Sequence, residues 1–178
     1  MPEKERELFL SYLHRDTTHF YYEFGSGGST AAAIAAPNVQ KIVSMESDTA
    51  FYESTAAALV SEKCERVLVE VGCRNNWGNP EKGYDGSLYF THIDSLSEVP
   101  DLILVDGRWR VACALHAWQK MGAESVLLFD DFVGRQFYYV VLPYFETLQT
   151  VGRIVVLKKR DNVMPPPELV SFYENDSR

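Results

Sequence analysis

A glycine turn and a set of acids are the residues of this 178-residue chain whose types and spacing could do chemistry. The turn Glu23-Phe-Gly25-Ser-Gly27-Gly28-Ser-Thr30 lets the backbone approach a ligand, because a side chain at Gly25 or Gly27 would obstruct it. A nicotinamide-binding turn usually has a third small residue where its helix packs on the strand, and here that residue is Thr30. The phosphate-cradling G-x-x-x-x-G-K-[ST] pattern does not occur. Glu46 follows the turn by roughly twenty residues, the spacing at which a carboxylate accepts from both ribose hydroxyls of a bound nucleoside. Glu23 would repel a pyrophosphate and suits a ligand with a cationic amino-acid moiety.

Asp106 and the pair Asp130-Asp131 follow two apolar runs that the sequence makes neighbours. Bringing such acids together in a cleft requires that they be partly protonated, paired with arginine or neutralised by a cation such as Mg²⁺, which prefers oxygen ligands. The cation is the simplest answer; alternatively Asp106 caps a helix at Val111 and Asp130 pairs with Arg135. Arg108, just past Asp106-Gly107, can clamp a carboxylate or bind an anionic substrate group. Asp131 and His92 are the candidate bases, since arginine cannot usefully deprotonate; His116, inside an apolar helix, reads as structural.

The elements that must position these residues alternate. Residues 3–14 have the apolar spacing of a leading amphipathic helix, residues 20–24 a buried strand, and an Ala-rich helix follows until Pro37. Strands are predicted at 41–45, 66–71, 101–105 and 125–129. Asp48 N-caps a helix running through Ala56 to Glu62, a helix at 111–121 has Gly122 as its C-cap, and another lies near 136–142. Segments 146–151 and 153–159 flank Gly152 as an antiparallel hairpin, and Pro165 to Pro167 open an irregular tail. This predicts one α/β domain over 1–178, with a leading helix in 1–19 and the tail in 160–178. The sheet is doubly wound and mostly parallel, so ligands bind at the strands' carboxyl ends, where Gly25, Glu46, Gly72, Asp106 and Asp130 all fall.

A net charge of −8 argues against a nucleic-acid surface built on phosphate neutralisation. Lys158, Lys159 and Arg160 read as a solvated face. Cys64, Cys73 and Cys113 form no C-x-x-C pair, which fits a reducing compartment. The charged start and the lack of a long apolar run predict a cytoplasmic protein with no membrane span. A homodimer and a place in a larger multidomain protein are both compatible with the sequence.

The Glu-x-Gly-x-Gly turn resembles the first motif of class I S-adenosylmethionine-dependent methyltransferases. The resemblance implies a Rossmann-like seven-stranded sheet and that cofactor. It makes Glu23, Gly25, Gly27 and Glu46 cofactor residues, with Ser26, Ser29, Thr30 and Ser47 beside them, Gly72 after the third strand and Asp106 after the fourth. The acids after strands four and five resemble those of metal-dependent O-methyltransferases of the catechol, caffeoyl-CoA and macrocin types, the Asp-Asp pair being closest to the sugar branch. That implies Asp106, Asp130 and Asp131 holding Mg²⁺ or Mn²⁺, which would orient an acceptor hydroxyl and lower its pKa. Where the catechol type has a lysine, this chain has Arg108, Trp109 and Arg110.

The stretch from Asp106 to Leu115, the Trp77-Gly-Asn-Pro80 loop, and Phe129-Asp-Asp-Phe132 with Arg135 are similar to a group of small class I methyltransferases, over nearly the whole chain. Trp77 and Tyr84 read either as an aromatic wall of the site or as core. The expected activity is methyl transfer to a hydroxyl of a small-molecule or glycan acceptor; no Asn-Pro-Pro-Tyr signature for base methylation follows strand four. The alternatives are an NAD-dependent oxidoreductase and a non-catalytic nucleotide-binding domain.

Overall fold

Near-continuous apolar runs put three short strands at the centre of the sheet: β1 (Phe20–Phe24), β4 (Leu102–Val105) and β5 (Val126–Phe129) are buried at every position. Such strands are stable only when both faces are covered. The computed structural model describes residues 1–71 and 85–178. Its sheet has seven strands in the order β3-β2-β1-β4-β5-β7-β6. β2 (Lys41–Glu46) and β3 (Cys64–Leu68) extend it in parallel on one side, and β6 (Phe145–Val151) and β7 (Ile154–Lys159) close it as an antiparallel hairpin on the other. Gly152 turns that hairpin at φ +58°.

One face of the sheet carries α1 (Glu3–Leu13) and α2 (Gly28–Ala35), with Leu8, Phe9, Tyr12 and Leu13 packed on Tyr21, Ile42 and Leu104. The other carries α4 (Ser87–Thr91), α5 (Arg110–Lys120) and α6 (Pro167–Glu174) over Tyr22, Val43 and Val105. The short α3 (Thr49–Ser54) follows β2. No helix among the described residues is long and apolar enough to cross a membrane.

Several expectations need correction. The helix predicted to reach Glu62 stops at Ser54. Its last carbonyls are taken by side chains: the Thr55 hydroxyl donates to Phe51 O at 2.8 Å, and Arg66 Nη2 donates to Tyr52 O at 3.0 Å. Asp48 does cap its start, accepting from Phe51 N at 2.9 Å. β3 begins and ends earlier than predicted because its register with β2 runs from Cys64 opposite Ile42 to Leu68 opposite Glu46. Gly122 is not a left-handed cap; the chain leaves α5 in extended conformation at Met121. The 136–142 segment is a 3-10 helix over Gln136–Tyr144.

The tail is not irregular throughout. Pro166 and Pro167 start α6 rather than break structure, as a proline tolerates the first helical turn. His116 then ties α6 to α5: its ring nitrogens meet Asp94 at 2.6 Å and Glu174 at 3.0 Å. Burial opposes the charged ring, but those two acids outweigh it and raise the His116 pKa.

The chain runs outward from β1 to β2 and β3, then crosses back to β4. The carboxyl ends of β1 and β4 therefore form the switch point at which open α/β sheets leave a crevice.

Candidate active site

At that switch point Gly25 has φ +105°, and a Cβ there would lie 3.0 Å from the backbone of Asp106 and Gly107. Both the conformation and the space demand glycine. The turn opens on a cleft of about 660 Å³. Its wall includes Gly25, Ser26, Gly27, Ser29, Glu46, Ser47, Asp106, Arg108 and Asp131, so most predicted site residues converge there.

Glu46 ends β2 with its carboxylate held in place. Oε2 accepts from Ser26 Oγ at 2.6 Å, and Oε1 accepts from the backbone of Ser47 at 2.7 Å and Asp48 at 2.9 Å. Those bonds fix the acid against the glycine turn without removing it from the cleft wall.

Glu23 lies elsewhere than predicted. It is fully buried under the turn and does not line the cleft. Its oxygens accept from Tyr21 Oη at 2.7 Å, Ser29 Oγ at 2.6 Å, Ser44 Oγ at 2.7 Å and Thr30 Oγ1. Thr30 Oγ1 in turn accepts from Gly27 N at 2.8 Å. Thr30, also buried, thus joins acid to turn. Burial pushes the Glu23 carboxyl above its usual range, against hydroxyl bonds that favour the anion. This acid shapes the turn from below.

At the other end of the cleft the charges are held by arginines. Arg110 is nearly buried and reaches the turns after β4 and β5 together. Nε donates to Gly107 O at 2.9 Å, Nη1 to Asp130 O at 2.6 Å, and Nη2 to the Asp106 carboxylate at 3.2 Å. Asp131 pairs with Arg135 at 2.8 Å and Arg153 at 2.5 Å, with Arg110 at 3.7 Å. The pairing with Arg135, the alternative to a metal for Asp130, is made by Asp131. Asp130 is buried outside the cleft wall, and among the described residues its Oδ1 has no hydrogen-bond partner. Burial first, and the Asp130 charge second, push the Asp106 carboxyl up to about 7 against the pull of Arg110.

The three aspartates were expected to hold a metal. Among the described residues no three His, Cys, Asp or Glu side chains group so as to hold one. Arginine pairing and a raised Asp106 pKa answer the charge problem instead, and the donor set as placed does not fit Mg²⁺ or Mn²⁺.

His92 is not at the cleft either. It meets Tyr22 Oη through Nδ1 at 3.2 Å, and burial lowers its pKa. Gly72, Trp77 and Tyr84 lie outside the described residues.

Sequence reasoning missed one wall. Arg6, Phe9 and Leu10 of α1 line the cleft, as do Phe51, Tyr89 and Arg110. The spacing of Arg6 to Phe9 and Leu10 places all three along one helix face, a signal present in the sequence but read only as core. Among the described residues, two non-glycine residues adopt left-handed backbone in the turns that follow the central strands, Trp109 at φ 48° before α5 and Asp131 at φ 57° after β5. Each such conformation stores about 1–3 kcal/mol of strain and is typical of functional turns.

No family model and no curated protein matches the sequence. Solved structures do. A methyltransferase-like protein from Silicibacter pomeroyi aligns at TM-score 0.81 and 28% identity, covering 100% of this chain and 96% of its own. A putative methyltransferase from Pseudomonas syringae aligns at 0.55 and 15% identity, covering 88% and 96%. A methyltransferase of mycinamycin biosynthesis, in complex with Mg and SAH, aligns at 0.57 and 11%, covering 94% of this chain and 53% of that one. The fold is that of the Rossmann-like class I methyltransferases.

Proposed function

We propose that the chain transfers a methyl group from S-adenosylmethionine, held in the cleft at the carboxyl ends of β1, β2 and β4, to a hydroxyl of a small-molecule or glycan acceptor. The observation that carries this reading is Gly25: its left-handed backbone and its close approach to Asp106-Gly107 leave a side-chain-free floor beside the Glu46 carboxylate. A nucleoside's ribose hydroxyls would donate to Glu46, while Ser26 keeps that acid turned to the cleft. When bound, the cofactor supplies an electrophilic methyl group on a sulfonium.

The protein's part is to place the acceptor and take its proton. Asp106 stands at the cleft with a pKa near neutrality, so its unprotonated form is available as a general base and its protonated form is retained by Asp130. Arg110 keeps Asp106 oriented through Nη2. No metal enters the proposal, because Asp106 and Asp131 are engaged with arginines and Asp130 is buried outside the cleft wall. A dinucleotide is disfavoured because the Glu23 carboxyl lies under the turn where a pyrophosphate would sit.

Calorimetric titration tests the cofactor assignment. S-adenosylhomocysteine is expected to bind saturably and NAD not to bind; saturable NAD binding with no heat from S-adenosylhomocysteine would end this reading.

A further inference from the structure

The wall of the cleft formed by α1 presents a cation whose task is not explained by the fold. Arg6 lines the cleft with Phe9 and Leu10, yet among the described residues its guanidinium makes no ion pair or side-chain hydrogen bond. Its neighbours along the wall differ. Arg110 is committed to Asp106, Asp131 and backbone carbonyls, and Arg108 also has a partner.

The position of α1 says which end of a ligand Arg6 can meet. Phe9 packs on Tyr21 with ring centroids 5.8 Å apart, and the Tyr21 hydroxyl donates to Glu23 beneath the glycine turn. Leu10 and Ala32 of α2 pack into the same cluster, and both line the cleft. The helix therefore stands on the side of the turn occupied by Ser29 and α2. Glu46, the site for ribose, is on the side of β2 and α3.

We infer that Arg6 binds the carboxylate of the amino-acid end of the cofactor, the opposite end from the ribose held at Glu46. This rests on the function proposed above. A sulfonium nucleoside of this kind carries a free carboxylate at its amino-acid end, and a guanidinium binds a carboxylate through two parallel donors. Glu23, being buried and saturated by hydroxyls, offers that end no direct contact. The cleft's own acids, Glu46, Asp48, Asp106 and Asp131, would repel a carboxylate, so a cation is required wherever it settles. Arg6 meets the need from an exposed helix face, where it can swing without disturbing the core.

The test compares two probes on the full chain, S-adenosylhomocysteine and 5′-methylthioadenosine, which keeps the nucleoside and thioether but lacks the amino-acid end. Arg6→Met is expected to weaken S-adenosylhomocysteine by about tenfold or more, the scale of one lost charge-assisted contact. It should leave 5′-methylthioadenosine within about twofold. Arg6→Lys, which keeps the charge but not the fork, should fall between wild type and Arg6→Met for the first probe only. Equal changes for both probes, or none for either, would overturn the role of Arg6 while leaving the cofactor assignment standing. Failure of the wild-type chain to bind either probe would overturn both.

Discussion

Glu23 lies within β1 opposite Leu104 and Asp106 directly follows β4, and both carboxyls are held above the usual range by burial, but their surroundings differ in kind. Glu23 is enclosed by hydroxyls from Tyr21, Ser29, Thr30 and Ser44, with no ion pair among the described residues. Asp106 faces Arg110 and the repulsive Asp130 at the edge of the cleft. Hydroxyls solvate a buried acid and fix the backbone around it, which suits a turn that must not move. Arginine and a second acid hold a carboxyl near its titration point, which suits proton transfer. The same residue class thus serves as a fastening at one strand end and a reactive group at the next.

Removing the arginine side of this contrast has the largest expected effect. Arg110→Met strips three backbone carbonyls of their donor and leaves the part-exposed Asp106 without its cation; the lost charge-assisted hydrogen bonds, rather than the screened ion pair, should cost about 3–5 kcal/mol together. Urea denaturation should show that loss, and an unchanged midpoint would mean that the turns after β4 and β5 hold themselves.

Exchanging the two acids sharpens the contrast. Asp106→Asn should lower turnover by about 10²–10⁴ while retaining the fold, the range for a general base. In the wild type, turnover should rise with pH through about 7, since Asp106 must be unprotonated to accept a proton. The same raised pKa means that the folded chain holds a proton the unfolded chain has released, so Asp106's contribution to stability falls as pH rises from about 4 to 7. Glu23→Gln should instead lower stability by about 1–3 kcal/mol, because hydroxyl donors lose their acceptor, with the pH profile of turnover unmoved. A Glu23 variant that shifts that profile would contradict the division of roles.

The smallest effect concerns α6. The raised pKa of His116 stabilises the docked helix below pH 6.5, and that stability is lost as pH rises through the elevated value. Asp94 and Glu174 are partly exposed, so the loss should be under about 1 kcal/mol. Amide exchange in 167–174 should quicken on the alkaline side, and His116→Gln should abolish the pH dependence.

Much of this arrangement was legible because it is local. Apolar runs ending in Gly25, Glu46, Asp106 and Asp130 mark strands and their carboxyl ends, and the crevice follows from topology. What was not legible depends on partners distant in the chain. Asp131 meets Arg153 of the hairpin, and Glu5 of α1 accepts from Arg153 N at 2.7 Å; no spacing rule connects these positions. Without those arginines, a metal was the simplest way to neutralise the aspartates. Glu23 was placed correctly along the chain but assigned to the ligand, because strand alternation does not tell which hydroxyls will surround a side chain. The prolines before α6 were read as a break because proline both stops and starts helices.

The fork of Arg110 makes position 110 a poor place to judge similarity by charge. A lysine there would offer one rotating ammonium where a planar group now spans two loops, so the mildest exchange on a substitution table would detach them from each other.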